Sequence, residues 1–124
     1  MRYLLAAGLM VLACGCAKTP PTMAHGKPVE HWVQALQGRD ARARQKAVRV
    51  LGNVGLNDPA AVPALARATT DPVSAVRREA VTALLKLGPA VREALPALER
   101  LHNDPDAQVR RDAARAVGKL REAP

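Results

Sequence analysis

The chain has 124 residues, with 19 Lys plus Arg against 11 Asp plus Glu and a formal net charge of +8. That length allows one small domain, and with no Phe, one Trp and one Tyr its core has to be built from Ala, Leu and Val. Such a core suits close helix stacking and suits a barrel or sandwich poorly. The same shortage argues against single-stranded nucleic acid as a ligand, because that binding uses aromatic stacking platforms.

Residues 1–13 read as a targeting segment and are set aside from fold reasoning. Arg2 is its positive end, and Tyr3 to Ala13 is an apolar run of 11 residues, too short to span a bilayer as a helix. Cys14 and Cys16, the chain's only cysteines, follow directly. Val11-Leu12-Ala13-Cys14 resembles a bacterial lipobox, in which a small residue precedes the lipidated cysteine. Ala13-Cys14-Gly15-Cys16 is a poorer fit, since a cysteine is unusual two places before the cleavage site. Leu12 is not the best residue there either, so the choice between Cys14 and Cys16 stays open. The plain alternatives are an ordinary secretory signal with a free Cys-Gly-Cys, or a two-cysteine metal clip. A clip needs further ligands nearby, and none follow. The lipoprotein reading is preferred. It implies an exported chain tied to a membrane by an N-terminal lipid, facing the periplasm or sitting on the outer membrane. Neither Gly15 nor Ala17 is an aspartate, which by resemblance to Gram-negative lipoproteins points to the outer membrane.

Residues 14–27 read as a flexible linker, because Pro20, Pro21 and Gly26 break helices and few apolar groups remain to bury. His25 falls in this tether and is a poor metal candidate. Pro28 opens the first helix, with Trp32 and Leu36 inward and His31 outward on the surface. Gly38 ends it. Asp40 starts the next helix, with Ala43, Ala47, Val50, Leu51 and Val54 on its inner face. Asn57-Asp58-Pro59 is a turn. Pro63 and Pro96 fall inside the two later first-helices, where each kinks the helix or marks where a preliminary turn gives way to it.

Asp71 to Gly88, DPVSAVRREAVTALLKLG, carries its own start and stop. Asp71 is placed to cap the first turn, with Pro72 at the first helical position. Val76, Ala80, Ala83, Leu84 and Leu87 make one apolar face. Gly88 is suited to the left-handed turn that ends a helix. A shift of 33 residues aligns this stretch with two others: Ala47, Ala80 and Ala113; Leu51, Leu84 and Val117; Val54, Leu87 and Leu120; Arg44, Arg77 and Arg110. The preceding helices keep the same register through Val29, Val62 and Leu95 and through Trp32, Leu65 and Leu98. One unit is therefore two short helices joined by a tight turn. It cannot bury its apolar face alone, and stacked neighbours can.

The motif Asp71-Pro72, Val76-Arg77, Ala80, Ala83-Leu84, Leu87-Gly88, repeated as Asp104-Pro105, Val109-Arg110, Ala113, Ala116-Val117, Leu120, resembles the HEAT repeat family, including the short HEAT-like repeats of phycobilisome lyases. The first unit departs from it, with Gly38 at the turn aspartate, and the last has Arg121 at the closing glycine. The resemblance implies an all-α fold, a short α-solenoid of about three helical hairpins over residues 28–122, with units at 28–55, 58–88 and 89–121. In the family the arginine column, here Arg44, Arg77 and Arg110, pairs with the turn aspartates, here Asp71 and Asp104. These five are read as structural. The fold by itself does not dictate a function.

No catalytic set is visible, and the chain is read as a non-enzyme without cofactor or metal. Ser74 is the only serine, and no histidine lies near it in the repeat pattern to activate it. His102, Asp104 and Asp106 suggest a hard-metal loop, but the column shared by Asp104 and Asp71 points to capping. The remaining signal is basic. Arg42, Lys46 and Arg49, then Arg78 and Lys86, then Arg111, Arg115 and Lys119 lie on the outward face of successive second helices. In HEAT-like stacks those helices line the concave side, where such charges form one basic surface able to concentrate an acidic partner. The plain alternative is a solvated face interrupted by Glu79 and Asp112.

Three functions compete. The first is a lipid-anchored scaffold that presents this surface to a protein partner. The second is recognition of an anionic polymer, an acidic glycan or nucleic acid, with export and the missing aromatics against nucleic acid. The third, implied by the resemblance, is an accessory or lyase-like role. It ranks last, because no chromophore-handling cysteine exists beyond the leader.

The anchor is directly testable. Protein isolated from a bacterial envelope is expected to lack the residues before Cys14 or Cys16 and to carry lipid mass on that cysteine. An intact mass that retains Met1, or an unmodified cysteine at the mature N-terminus, removes the anchor.

Overall fold

Among the described residues, apolar side chains at steps of three and four wind the chain into six α-helices in pairs: α1 (Val29–Ala35) with α2 (Ala41–Val54), α3 (Ala61–Ala68) with α4 (Ser74–Leu87), and α5 (Leu95–Arg100) with α6 (Ala107–Glu122). The computed structural model describes residues 20–122. The targeting segment and both cysteines, Cys14 and Cys16, lie outside the described residues. Short 3-10 turns at Gly55–Asn57, Gly88–Ala94 and Leu101–Asn103 complete the connections. This is the α-solenoid of helical hairpins that the repeat implies.

The repeat columns form the core. Leu51, Leu65, Leu84, Leu98 and Leu120 are almost wholly buried, together with Ala47, Ala80 and Ala113. Small residues let the second helices come close: a Cβ on Gly52 would sit 2.9 Å from the Cβ of Ala83. Along the stack α2 packs on α4 and α4 on α6 much more extensively than α1 packs on α3 or α3 on α5. The second helices are also about twice as long as the first, so they carry most of the contact between units. Val48 and Val81 are also fully buried, whereas Ala43, expected on the inner face of α2, is exposed. The buried face of α2 is shifted round the helix toward the following unit, which the pattern of a single helix does not reveal.

Helix starts differ from the sequence expectation. Helix α4 begins at Ser74, with Val73 in extended conformation before it, so Asp71 and Pro72 stand outside the helix. The carboxylate of Asp71 accepts the Val73 N–H at 2.9 Å and spends its remaining capacity on Arg44. In the third unit the cap is Asp106, not Asp104. Asp106 Oδ1 accepts the N–H groups of Gln108 and Val109 at 2.8 and 3.0 Å. The prolines resolve differently. Pro63 sits in the first turn of α3, where its missing N–H costs no helical bond. Pro96 follows the Gly88–Ala94 turn that gives way to α5.

Residues 22–28, of which 22–27 are expected in the tether and Pro28 at the start of the first helix, fold back on the first unit. Met23–Ala24 and Lys27–Pro28 pair as a two-stranded antiparallel hairpin, with His25 at φ 49° and Gly26 at φ 73° in its turn. Ala24 is buried, and its carbonyl accepts the Trp32 indole N–H at 2.9 Å. Trp32 is therefore a core residue, as its column suggests, and it also anchors the hairpin.

Two substitutions test the packing. Leu84→Ala is expected to cost about 2–5 kcal/mol through lost burial and a cavity. Ala80→Leu is expected to cost about 1–3 kcal/mol by overpacking the stack. Urea denaturation reads both. Wild-type midpoints for both variants would mean the columns do not face the core.

Candidate interaction surface

Two rows of polar side chains cross the unit boundaries on the second helices. The first is a ladder. Arg44 Nε and Nη2 donate to Asp71 Oδ2 and Oδ1 at 2.7 and 3.1 Å. One unit later Arg77 Nε and Nη2 donate to Asp104 Oδ2 and Oδ1, both at 2.8 Å. Each arginine thus holds the turn aspartate of the unit after its own. Its third nitrogen is braced at home: Nη1 of Arg44 donates to the carbonyls of Gly38 and Arg39, and Nη1 of Arg77 to those of Asp71 and Pro72. Arg110 repeats the brace on the carbonyls of Asp104 and Pro105.

The rungs are nearly dry, with side-chain exposures of 10% and 8% for Arg44 and Asp71 and 11% and 4% for Arg77 and Asp104. Planar forks of this kind combine charge-assisted strength with a fixed geometry. At Asp104 the Arg77 hydrogen bonds outweigh burial and hold the carboxyl below its ordinary range. At Asp71 burial alone would raise the carboxyl, but Arg44 and the Val73 N–H together bring it below that range. Asp106 is held low chiefly by the Val109 N–H that it caps. Both oxygens of Asp104 are thus taken by the arginine fork, and Asp106 Oδ1 by helix N–H groups.

The second row is the basic stripe. Arg42, Lys46, Arg49, Arg78, Lys86, Arg111, Arg115 and Lys119 are all exposed, but they are not equivalent. Arg49 Nε donates to Glu79 Oε1 at 3.2 Å, with Gln45 on the same carboxylate, and Arg78 Nε reaches Asp112 Oδ2 at 3.4 Å. Burial opposes ionisation of Glu79, yet its bonds from Arg49 and Gln45 hold it below the usual range. The acidic residues that interrupt the stripe in sequence thus join one unit to the next. The signal is a basic residue followed about one repeat later by an acid: the pairs lie 30 and 34 residues apart. Lys46 has its ammonium 5.8 Å from the centre of the Trp32 ring. Arg111 donates to Gln108 Oε1. His31 is exposed, edge-on to Trp32, and in hydrogen-bond contact with Lys27. No helix among the described residues is long and apolar enough to cross a membrane.

Comparison with known proteins agrees with this geometry. Residues 29–122 match the family model described as HEAT repeats. No curated protein matches the chain. Among solved structures, a complex of CpcE and CpcF of phycocyanin lyase from Nostoc sp. PCC7120 is similar, with 32% identity and a TM-score of 0.64 over 84% of this chain and 40% of that one. An engineered protein shares the fold, with a TM-score of 0.61 at 24% identity over 75% of this chain and 45% of that one. The chain thus spans less than half the length of either.

The ladder predicts an acid-sensitive stack. Carboxylates with depressed folded values contribute fully above their unfolded range, and the contribution is lost as pH falls through the folded value. The wild-type melting temperature should therefore begin to drop once the pH passes below about 4. Asp104→Asn is expected to lose about 1.5–3 kcal/mol at neutral pH and to show a shallower acid limb. Melts across pH check both, and an unchanged neutral melt would remove the rung from the stability of the stack.

Proposed function

Because the chain belongs to the HEAT repeat family, we propose that it is a non-enzymatic scaffold that binds a protein partner, exported and held at the membrane by lipid on Cys14 or Cys16. The observation that carries the reading is the rigid register of the second helices. They present exposed cations on successive units, Arg42, Lys86, Arg115 and Lys119 among them, with Lys86 and Lys119 one repeat apart. A row of this kind attracts an acidic partner over several ångströms and speeds its association. The similar phycocyanin lyase structure is itself a complex of two proteins, which supports a protein partner over an anionic polymer. It also keeps an accessory role within a larger assembly as the second reading.

The test uses the lipidated chain to capture partners from its native envelope. Arg42→Glu, Lys86→Glu and Lys119→Glu are combined, because these residues stand outside the cross-unit pairs. The triple variant should melt with the wild type, since exposed charges away from special features alter stability little. It should capture less partner, and the difference should shrink as salt rises. Equal capture by variant and wild type at every salt concentration would leave the row a solvated face. Capture of no protein at all would remove the scaffold reading.

A further inference from the structure

The third unit ends in a set of groups most of whose counterparts in the first two units hold a carboxylate of the next unit. Arg110 has the same brace as Arg44 and Arg77, yet the Nε and Nη2 edge that holds a carboxylate in those two is left facing outward. The burial follows: Arg44 is buried, Arg77 half-buried and Arg110 exposed. Arg111, which donates to Gln108 of its own helix, stands in the column of Gln45 and Arg78, and Arg115 in the column of Arg49 and Thr82. Gln45, Arg49 and Arg78 each bond a carboxylate of the next unit. The centre of this end is apolar. Ala114 and Val117 occupy the columns of Val48 with Val81 and of Leu51 with Leu84, residues that are fully buried. Beside them Gly118 and Leu98 line a groove bordered by His102. A unit that closes a solenoid carries a polar outer face; Ala114, Val117 and Gly118 do not make one.

We propose that the outer side of α5 and α6 docks a helical hairpin of a partner chain, one with an aspartate at its interhelix turn and an Asp or Glu eight residues further on. The spacing is read from the two internal boundaries, where Asp71 precedes Glu79 and Asp104 precedes Asp112 by the same interval. The turn aspartate meets the open fork of Arg110. The second carboxylate lies between Arg111 and Arg115, and small apolar residues of the incoming helix cover Ala114, Val117 and Gly118.

A second copy of this chain does not fit. Its first unit has Gly38 where the turn aspartate is needed and Lys46 where the second carboxylate is needed. That side is also taken: Ala83 of α4 faces back onto Gly52, and Val50, its counterpart in α2, is buried beside Met23 and Ala24 of the hairpin. The occupant is therefore a hairpin of a partner chain that carries both carboxylates in the register of Asp71 and Glu79.

The proposal deepens the scaffold reading and rests on it, so its test has two arms. In the first, the full chain is extended through a long Gly/Ser linker by a copy of its own residues 88–122, which carries the required acids as Asp104 and Asp112. Tethering makes docking of this probe hairpin intramolecular, at an effective concentration set by the linker length. Amide exchange should show the appended hairpin protected. Protection should fall about tenfold or more when both acids of the appended copy are changed to Asn. It should fall likewise with Arg110→Glu in the host, and with Arg111→Glu plus Arg115→Glu, a second variant that leaves the brace of Arg110 intact. An unprotected hairpin, or protection indifferent to these changes, overturns the proposal. In the second arm the unextended chain captures its partner. The Arg111→Glu, Arg115→Glu variant should lose capture while retaining the wild-type melt, and the captured protein should contain such a hairpin. Undiminished capture overturns the docking face and leaves the scaffold reading standing. If the wild type captures nothing, the scaffold reading fails and this proposal fails with it.

Discussion

The stack depends on one interaction repeated at each internal boundary: an arginine braced on the turn of its own unit and forked onto the aspartate of the next. Taking both charges out of water is expensive, and a well-packed apolar pair in their place could be as stable. The energy of the fold comes mainly from the buried Ala, Leu and Val columns. What the rung adds is register. Helices meeting through Gly52, Ala83 and other small residues present a smooth surface that can slide or rotate with little change in buried area. A planar fork with one nitrogen fixed at home and two aimed at a carboxylate closes in only one alignment. Arg44–Asp71 and Arg77–Asp104 have nearly the same geometry, and so the two boundaries are near copies of each other.

The rung also explains where the helices begin. Asp71 lies where a helix cap belongs and has the right chemistry for it, yet both its oxygens face Arg44 and one also takes the Val73 N–H. A carboxylate so engaged cannot reach the first turn of the helix as well. Helix α4 starts later, from Val73, with no side-chain cap. The third unit separates the two tasks: Asp104 takes the arginine and Asp106 caps α6. The column of Asp106 holds Asp40 and Val73. Asp40 caps α2, and the valine leaves α4 uncapped.

The fold was legible in the sequence because its signal is repeated. One helix pattern is ambiguous, but Ala47, Ala80 and Ala113 keeping step with Leu51, Leu84 and Val117 permit few alternatives. The ladder was legible too, through the resemblance, because arginine and aspartate recur at fixed columns. What escaped are features that occur once or that reach across the repeat. Residues 22–27 look like a tether, since their order comes from the Trp32 indole and from van der Waals cover, neither of which leaves a local pattern. The Arg49–Glu79 and Arg78–Asp112 links were read as interruptions of a basic face. A single helix seen alone shows alternating charge, and only the neighbouring helix supplies the partner.

The exposed face of the second helices differs in kind from the core. A core position tolerates few residues, so its identity reports the fold directly. An exposed position on a rigid repeat is held in place by the backbone beneath it, whatever its side chain, and its identity is left to whatever binds there. Arg42, Lys86 and Lys119 are placed by columns they do nothing to maintain. The same separation lets one solenoid carry different surfaces, and it explains why a repeat pattern this clear names an architecture long before it names a partner. The end positions are the exception. At Arg110, Arg111 and Arg115 the residues that would join one unit to the next are themselves the exposed surface, so there the chemistry of recognition can be read from the chemistry of folding.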